Sequence, residues 1–281
     1  MTQEKIIIDH YSRGSLEQSI MAALQSAGRD IGKLSVDDLA PFDEFHIGGR
    51  AATAHLMAYL QFQPHHHILD IGCGIGGPAR YLAAAARSRI TGIDLTPEYC
   101  AVAASLTEKT GLGNHIIYRQ ENALSLPFAD DAFDGAYSIH MAMNIADKAA
   151  LFRQIFRVLK PGSFFGLYDI LADMDDGAFS YPVPWAPGPE ASFLASSTQM
   201  KTLLTESGFM IMAEDDLHGF ALLALKKMQD SKTVSGPGLL MGDDFKLKIA
   251  NLIDNLEKNR CTPRIIICKK KEMNDEQPNL A

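Results

Sequence analysis

The chain has 281 residues, of which 47% are hydrophobic and 21% charged, and its formal net charge is −8. This composition is typical of a globular protein with a sizeable core, and the acidic balance argues against binding to nucleic-acid phosphates. No apolar run approaches the ~20 residues of a membrane span, and the first residues lack the features of a signal peptide. The four cysteines form no CxxC pair, so we expect a cytoplasmic chain with reduced thiols and no metal site.

The first 62 residues are predicted to form helices. Ser15 and Gln18 have the spacing of a capping box, which marks the start of a helix. Small and apolar residues recur at helical spacing over Arg50–Phe62, and this pattern predicts a second helix. The stretch between them, Ala40–Arg50, contains a glycine pair and a histidine and is predicted to be a loop.

From His67 onward, short apolar runs alternate with helical patterns. The sequence predicts strands at His67–Ile71, Arg89–Asp94, His115–Arg119, Asp134–Ile139 and Ser163–Ile170, with "KPG" at 160–162 as a turn before the last of these. Helices are predicted at Pro78–Arg87, from Thr96 to Gly111 and at Asp147–Leu159. This alternation predicts a parallel sheet that is covered by helices on both faces.

After the fifth strand the pattern becomes less regular. Residues 171–195 are rich in proline and carry Tyr181 and Trp185, and a loop of this length is typical of a lid over a site. A capped helix is then predicted from Ser196 to Gly208. The remaining predictions are a strand at Phe209–Glu214, helices at Leu222–Asp230 and Asp243–Lys258, and a final strand at Arg264–Lys269.

The stretch "HHHILDIGCGIGGPAR" (65–80) places a glycine cluster between the first strand and the first helix of the sheet. Glycine allows the backbone to approach a ligand closely, and the helix start offers free N–H groups. Gly72, Gly74 and Gly77 fit the GxGxxG spacing of a dinucleotide fold, whereas Gly72, Gly74 and Gly76 fit a different pattern, GxGxG. An acid after the next strand, Asp94, would accept hydrogen bonds from ribose in either case.

Two features distinguish these alternatives. Asp70 lies two residues before Gly72, where it would repel a pyrophosphate but attract a ligand with a positive charge. No second mononucleotide-binding half is visible downstream, and Asn122 and Ala123 after the third strand can face an adenine edge. The pattern therefore favours a cationic adenosine ligand.

The motifs "ILDIGCGIGGPARYLA", "ITGIDLTPEYCAVAASL", "ENALSLPFADDAFDGAYS" and "LFRQIFRVLKPGSFFGLYDI" follow in order over residues 64–171. Together they resemble class I S-adenosylmethionine-dependent methyltransferases, in particular the sarcosine/dimethylglycine and ubiquinone/menaquinone groups. The resemblance implies an α/β fold with a Rossmann-like sheet, mostly parallel with an antiparallel last strand, and an N-terminal helical cap. It also implies S-adenosylmethionine as the cofactor and a small-molecule methyl acceptor as the partner.

The resemblance leads us to expect a cap at 1–62, which is part of the same domain, and a methyltransferase domain at 63–269. The domain would carry a lid at 171–195 and a helical insertion at 218–260, and a flexible tail would follow at 270–281. The expected reaction is in-line methyl transfer to an amine. O- or C-methylation of a quinone, polyketide or other metabolite is the alternative, and an NAD-type oxidoreductase or a non-catalytic cofactor-binding protein is a remoter one. The oligomeric state stays open.

The resemblance also assigns cofactor contacts residue by residue. The amino-acid end of the cofactor would face Asp70, Gly72, Cys73, Gly74 and Gly76, the ribose would contact Asp94 and Leu95, and the adenine would contact Asn122 and Ala123. His140 would lie near the methionine part or the substrate. The family commonly has Asp where Asn122 stands, and an amide oxygen can still accept from an adenine amino group.

Candidate groups for the transfer step lie where the family binds its acceptor. The expected catalytic side chains are His140, His46 and Tyr11, and the expected substrate contacts are Arg50, Tyr168, Tyr181 and Trp185. Tyr181 and Trp185 could form an aromatic wall for a methylated ammonium, or they could simply plug a proline-rich loop. His140 could equally support the end of its strand, and Arg50 could pair locally instead of binding a carboxylate.

Overall fold

The computed structural model describes residues 3–12, 14–173, 178–230, 238 and 244–272. Parts of the expected lid and of the helical insertion, and nearly all of the expected tail, lie outside these residues. Within the described part of the chain, no helix combines the length and the apolar character that a bilayer crossing requires.

The centre of the protein is a seven-stranded sheet. Its strands are β1 (His67–Ile71), β2 (Arg89–Asp94), β3 (Ile116–Gln120), β4 (Phe133–Ile139), β5 (Leu159–Ala172), β6 (Phe209–Asp216) and β7 (Cys261–Lys270). They lie in the order β3-β2-β1-β4-β5-β7-β6, and β7 is antiparallel to both of its neighbours while β1 to β5 pair in parallel. The expected sheet, with an antiparallel last strand, is confirmed.

Helices cover both faces of the sheet. The helices are α1 (Gln3–Tyr11), α2 (Leu16–Ser26), α3 (Val36–Asp43), α4 (Gly49–Leu60), α5 (Gly77–Ala86), α6 (Pro97–Lys109), α7 (Lys148–Val158), α8 (Ser197–Glu206), α9 (His218–Asp230) and α10 (Phe245–Glu257). Neighbouring residues of a strand point to opposite faces. Accordingly, Ile68 packs with α4 and α5, whereas Leu69 packs with α7 and α8.

The helical cap differs in detail from the prediction. Part of the expected loop at Ala40–Arg50 is helical, because α3 extends to Asp43. The capping box lies at Ser35, whose hydroxyl accepts the N–H of Asp38 (3.1 Å) while the Asp38 carboxylate accepts the N–H of Ser35 (3.0 Å). Ser15 does stand at the start of α2, but its side chain accepts no capping hydrogen bond. The predicted capping box at Ser15 and Gln18 is therefore wrong.

Two strands of the sheet are longer than predicted. The "KPG" segment at 160–162 does not precede β5 but lies inside it, where the register against β4 shifts after Phe133 and Gly162 adopts φ +79°. β7 begins at Cys261, and its first residues pair with the end of β5. The "KPG" extension lengthens β5 at its amino end, whereas the first residues of β7 pair with Leu171 and Ala172 at the edge where the parallel strands end.

The cap packs against the sheet through α6 and α5. Leu16, Ile20 and Leu24 of α2 form a buried cluster with Tyr99 and Leu106 of α6. This packing holds α1 and α3 over the carboxyl ends of β1 and β2, which is where open parallel sheets bind their ligands.

Candidate active site

A cavity of about 210 Å³ opens at the carboxyl ends of β1, β2 and β4. Its walls come from the glycine loop after β1, the residues after β2, β3 and β4, the cap, residues 184–185, and helices α9 and α10. The strand order switches direction between β1 and β4, because β2 and β3 lie on one side of β1 while β4 and β5 lie on the other. A cavity at this position is the expected ligand site of a doubly wound sheet.

The glycine loop forms one wall of this cavity. Gly72 and Gly74 have φ values of +76° and +53°, which glycine adopts without the strain that a side chain would cause. A Cβ at Gly72 would lie 2.5 Å from Cγ of Met141, so the Met141 side chain occupies the space that a larger residue at this position would need. The N–H groups of Gly72 and Cys73 donate to the carbonyl of Ile93 (2.9 Å each), which ties the loop to β2.

Gly76 has a structural role, since it does not line the cavity as far as the described residues define it. It begins α5 at φ +82°, and a Cβ there would meet the hydroxyl of Tyr118 at 2.2 Å. In the next turn of α5, Arg80 is fully buried and its guanidinium donates to the Asp43 carboxylate at 2.7 Å. This ion pair fixes the end of α3 against the glycine loop.

Two buried carboxylates face the cavity. Asp94 accepts the N–H groups of Gly74 (3.0 Å) and Thr96 (2.9 Å), one on each oxygen, so each oxygen retains capacity for another donor. Asp70 accepts the hydroxyl of Tyr137 at 2.8 Å. Burial, opposed by the Tyr137 hydrogen bond and assisted by the charges of Asp94 and Glu44, raises the pKa of Asp70 to about 8.

The far end of the cavity, after β3, carries Asn122 and Ala123. The Asn122 amide donates from Nδ2 to the Glu4 carboxylate of α1 (2.6 Å) and accepts the N–H of Leu124 on Oδ1 (2.8 Å). Its carbonyl oxygen keeps a second lone pair, so Asn122 can still accept from an adenine amino group. Leu95 also lines this end.

His46 lines the cavity and is held by a buried polar network. Its Nε2 lies 3.0 Å from the Gly49 carbonyl and 3.0 Å from the Thr53 hydroxyl. Because a carbonyl only accepts, Nε2 carries the proton and Nδ1 is left as an acceptor. Thr53 in turn donates to the Glu44 carboxylate (2.7 Å), which lies 3.6 Å from His46 Nε2. Burial lowers the pKa of His46, and the Glu44 charge opposes this shift.

His140 follows β4 and lies beside His46, with 5.9 Å between the ring centroids. It adopts φ +50°, a conformation that non-glycine residues rarely take, and its N–H donates to the Tyr168 carbonyl at 2.7 Å. Its Nε2 is buried and has no hydrogen-bond partner among the described residues. Burial and, secondarily, the nearby His46 hold the pKa of His140 well below its usual value, so the ring is neutral near pH 7.

Tyr11 reaches into the cavity from α1. Its hydroxyl donates to Oδ1 of Asn144 (3.1 Å), and the Asn144 amide donates to the carbonyls of Trp185 (2.9 Å) and Ala191. Burial, with the charge of Asp94 as a smaller cause, raises the pKa of Tyr11 well above its usual value. Tyr11 and Trp185 thus form one connected wall, and the Trp185 indole N–H donates to Ser192 (2.9 Å) rather than into the cavity.

Three residues that were predicted to contact substrate do not line the cavity, as far as the described residues define it. Arg50 pairs with Glu44 (2.7 Å) and Asp37, so its charge is used within the cap. Tyr168 is fully buried behind the two histidines and donates to the Ile47 carbonyl (2.9 Å). Tyr181, within residues 171–195, lies against Phe179 with 5.1 Å between the ring centroids, and both rings pack against a buried apolar cluster. We therefore leave these three side chains out of the candidate site.

Residues 69–167 match the model of the family described as "Methyltransferase domain". The methyltransferase phqN of Penicillium fellutanum is 34% identical over 169 residues, which cover 58% of this chain and 52% of that protein. The O-methyltransferase cnsE of Penicillium expansum is 28% identical over 79% of this chain and 78% of its own length. The 24-methylenesterol C-methyltransferase 2 of Oryza sativa subsp. japonica is 39% identical over 39% of this chain and 30% of its length.

The chain is similar to class I S-adenosylmethionine-dependent methyltransferases, and the family model matches residues 69–167. The chain spans about half the length of the first of these relatives. This similarity favours GxGxG over GxGxxG, and it does not support the NAD-type alternative.

Solved methyltransferases share the fold. A putative sarcosine dimethylglycine methyltransferase from Galdieria sulphuraria superimposes with a TM-score of 0.71 at 18% identity, over 92% of this chain and 99% of that one. A geranyl diphosphate C-methyltransferase from Streptomyces coelicolor A3(2), in complex with S-adenosyl-L-homocysteine, gives 0.71 at 16% identity over 96% and 98%. At this identity the likeness extends to the fold alone.

The side chains that line the cavity suit S-adenosylmethionine in charge. Four carboxylates line it, and no lysine or arginine does so in the part of the chain that the structure describes; the four are Asp43, Asp70, Asp94 and Glu121. A negative wall suits a sulfonium and an ammonium group. Gly72 and Gly74 of the glycine loop line the same cavity as these carboxylates.

Several site residues were missed by the sequence prediction. Glu44 and Thr53 hold His46, while Asn144 connects Tyr11 to Trp185. Glu44 and His46 belong to one short stretch, "DEFHIGG", and an acid two residues before a histidine could have indicated a pair. Asn144 had no comparable indication, because its partners lie more than 40 residues away in sequence.

Proposed function

We propose that the protein transfers the methyl group of S-adenosylmethionine to an oxygen or an activated carbon of a small molecule. One observation carries the proposal: the carboxylate-lined cavity beside the glycine loop is also lined by His46, a neutral histidine whose Nε2 donates to the Gly49 carbonyl, so that Nδ1 is its acceptor nitrogen. The first feature suits a cationic methyl donor. The second suits an acceptor that must lose a proton.

The choice of oxygen or carbon over the amine expected from the sequence has two supports. Relatives with matching sequence are named O-methyltransferase and sterol C-methyltransferase. A deprotonated amine needs only placement, whereas a hydroxyl or an acidic C–H needs a base. The His46 network, which fixes one tautomer of a buried ring, is of no use to an amine that arrives without its proton.

The chain's own groups would perform the proton transfer. S-adenosylmethionine supplies, when bound, a methyl group on a sulfonium, so the S–CH3 bond breaks as the bond from acceptor to methyl forms. His46 Nδ1 takes the proton of the acceptor, and the resulting imidazolium is stabilised by the Glu44 carboxylate. Thr53 and the Gly49 carbonyl keep Nε2 protonated, which prevents the ring from presenting its other nitrogen.

Other lining groups would orient and enclose the reactants. His140 is neutral, and its buried Nε2 has no hydrogen-bond partner among the described residues. It can therefore form a hydrogen bond with the methyl acceptor without removing the acceptor's proton. Tyr11 keeps its proton, because its pKa is raised, and closes the cavity by its bond to Asn144. Excluding water in this way aligns the reactants and prevents competing proton exchange.

The test has a binding arm and a turnover arm. Calorimetry should detect binding of S-adenosylhomocysteine to the full chain, and Asp94→Ala should weaken it at least about tenfold because the ribose loses its acceptor. Release of S-adenosylhomocysteine is then measured with matched panels of phenols, enols and amines. Failure to bind either form of the cofactor would refute the function, and turnover confined to the amines would refute the choice of acceptor atom.

A further inference from the structure

The cavity has two ends of different chemistry. Asp70, Asp94 and Glu121 of its lining lie at or just after the ends of β1, β2 and β3, whereas the described lining residues from β5, α9 and α10 are all apolar. We call this second end the apolar arm and define it by Ile170, Trp185, Leu225, Met228, Ile249 and Leu252. In the sheet order, β4 and β1 separate β5 from β2, so the arm lies about three strand spacings, or ~14 Å, from Asp94.

The arm exists because of a long connection between two adjacent strands. β6 and β7 are antiparallel neighbours, which a two-residue turn could join. Instead, residues 217–260 intervene and contribute α9 and α10, which pack on each other. Such an insertion is not needed to complete the sheet. Its position over the cavity indicates a role in binding.

Each inserted helix presents one apolar face to the arm. On α9, Leu225 is 2% exposed while Leu223 is 72% exposed; on α10, Ile249 and Leu252 are buried while Leu247 is 52% exposed. The buried residues belong to the same cluster as Trp185 and Ile170. These residues of α9 and α10 therefore form one continuous apolar wall of the cavity with Trp185 and Ile170.

The charges around the cavity restrict what can occupy this arm. A carboxylate or phosphate brought out of water needs a cation or several donors, and an unpaired buried charge is strongly disfavoured. The described lining contains no lysine or arginine that could pair with an anion, and its acidic residues supply no positive charge. The indole N–H of Trp185 is already bonded to Ser192, so it offers no donor to the arm.

We propose that the apolar arm binds the body of the methyl acceptor, and that this acceptor is a neutral, predominantly apolar molecule with one hydroxyl or acidic C–H. This rests on the proposed function and names its substrate class. The reacting atom lies toward His46 and His140, and the apolar body extends between α9, α10 and Trp185. Acceptors that carry a phosphate, diphosphate or carboxylate are excluded.

The first experiment compares two probes that share the same naphthol ring, of which only one carries a carboxylate. The full chain is saturated with S-adenosylhomocysteine and titrated with 2-naphthol and with 6-hydroxy-2-naphthoate at pH 7. We expect 2-naphthol to bind at least about tenfold more tightly, because only the naphthoate must bury a charge. Equal or tighter binding of the naphthoate, or no binding of 2-naphthol, overturns the proposal.

The second experiment locates the binding to the arm. Leu225→Trp fills the arm and should weaken 2-naphthol binding at least about tenfold while S-adenosylhomocysteine affinity stays unchanged. Leu223→Trp, on the exposed face of the same helix, is the matched control and should change neither value. Unchanged 2-naphthol binding in Leu225→Trp also overturns the proposal.

Met228→Lys keeps the test decisive should Leu225→Trp fail to fold, since Met228 is only partly buried. A lysine at the arm should raise naphthoate affinity relative to 2-naphthol at least about fivefold, and an unchanged ratio counts against the arm. If the unmodified chain does not bind S-adenosylhomocysteine, the proposed function itself is refuted. Failure of the proposed function is therefore distinguishable from failure of the proposal for the apolar arm.

Discussion

Asp70→Asn should stabilise the ligand-free protein and at the same time weaken its binding of the cofactor. Asp70 is 2% exposed and lies at the end of β1 in the cavity wall. Burial, together with the charges of Asp94 and Glu44, raises its pKa from 3.8 to about 8. The Tyr137 hydroxyl that it accepts at 2.8 Å would find an equivalent acceptor in the asparagine carbonyl.

The size of the effect follows from proton linkage. The native state holds a proton on Asp70 that the unfolded chain releases above pH 4, so the contribution of this group to stability is complete below pH 4 and is lost as the pH rises through 8. At pH 7 the loss amounts to about 4 kcal/mol, and at pH 5 to about 2 kcal/mol. Asparagine does not ionise, so the free energy of unfolding of the variant should exceed that of the wild type by amounts of this order.

Cofactor binding should change in the opposite direction. The ammonium end of S-adenosylmethionine would favour the ionised carboxylate, and asparagine removes this attraction. We expect affinity for S-adenosylhomocysteine, which keeps the ammonium, to fall at least about tenfold. Binding to the wild type should also release a proton below pH 8, which calorimetry in buffers of different ionisation enthalpy measures.

The assay is thermal unfolding of the ligand-free chains between pH 5 and pH 7. Asp134→Asn is the control, because the hydrogen bonds from Lys160 and the His67 N–H outweigh partial burial and hold the pKa of Asp134 below its usual value. That variant should be less stable than the wild type by an amount that stays the same from pH 5 to pH 7, because both the folded and the unfolded chain carry this carboxylate ionised over that range. The reasoning is refuted if Asp70→Asn is the less stable chain, or if its advantage does not grow with pH.

Two further predictions concern the cap. His46→Asn should lower kcat at least about 100-fold with unchanged S-adenosylhomocysteine affinity; Glu44→Gln should move the acid limb of the pH–rate profile to lower pH, because the Glu44 charge raises the pKa of His46. An unshifted limb would contradict the assigned base. Arg80→Met should cost about 3–5 kcal/mol in urea unfolding, because it leaves Asp43 buried without its partner at 2.7 Å. Adding Asp43→Leu should restore much of that loss, and a double variant no more stable than Arg80→Met would argue against a buried ion pair.

The sheet and its ligand edge could be predicted from the sequence because their determinants are local. The apolar run at His67–Ile71, the glycines after it and the acid at Asp94 each have a meaning within a few residues. The family match covers 69–167, the region in which these patterns are strongest. Tyr11, His46 and His140, which the sequence predicts to be catalytic, each lie in the cavity wall, and their catalytic roles stay predictions.

The polar networks could not be predicted because they depend on contacts between distant elements. The sequence alone does not distinguish Arg50 from a substrate-binding arginine. The structure does, because the end of α3 lies beside α4 and places the Glu44 carboxylate 2.7 Å from the Arg50 guanidinium. That α3 exists at all was obscured by Pro41 inside it. Tyr168 is on the predicted strand, but only the packing of the cap shows that its hydroxyl is bonded to Ile47.

Some of the cavity residues lie within the part of the chain that the family model matches, and others lie outside it. This difference determines how the function of each part can be inferred. Asp70, Asp94 and His140 lie within residues 69–167, which the family model covers. His46 and the helices of the apolar arm lie outside that range. Similarity to other methyltransferases therefore bears on the cofactor half of the reaction. The acceptor has to be argued from the cap and from the insertion between β6 and β7, where this chain's own histidine network and uncharged wall favour a neutral acceptor that gives up a proton.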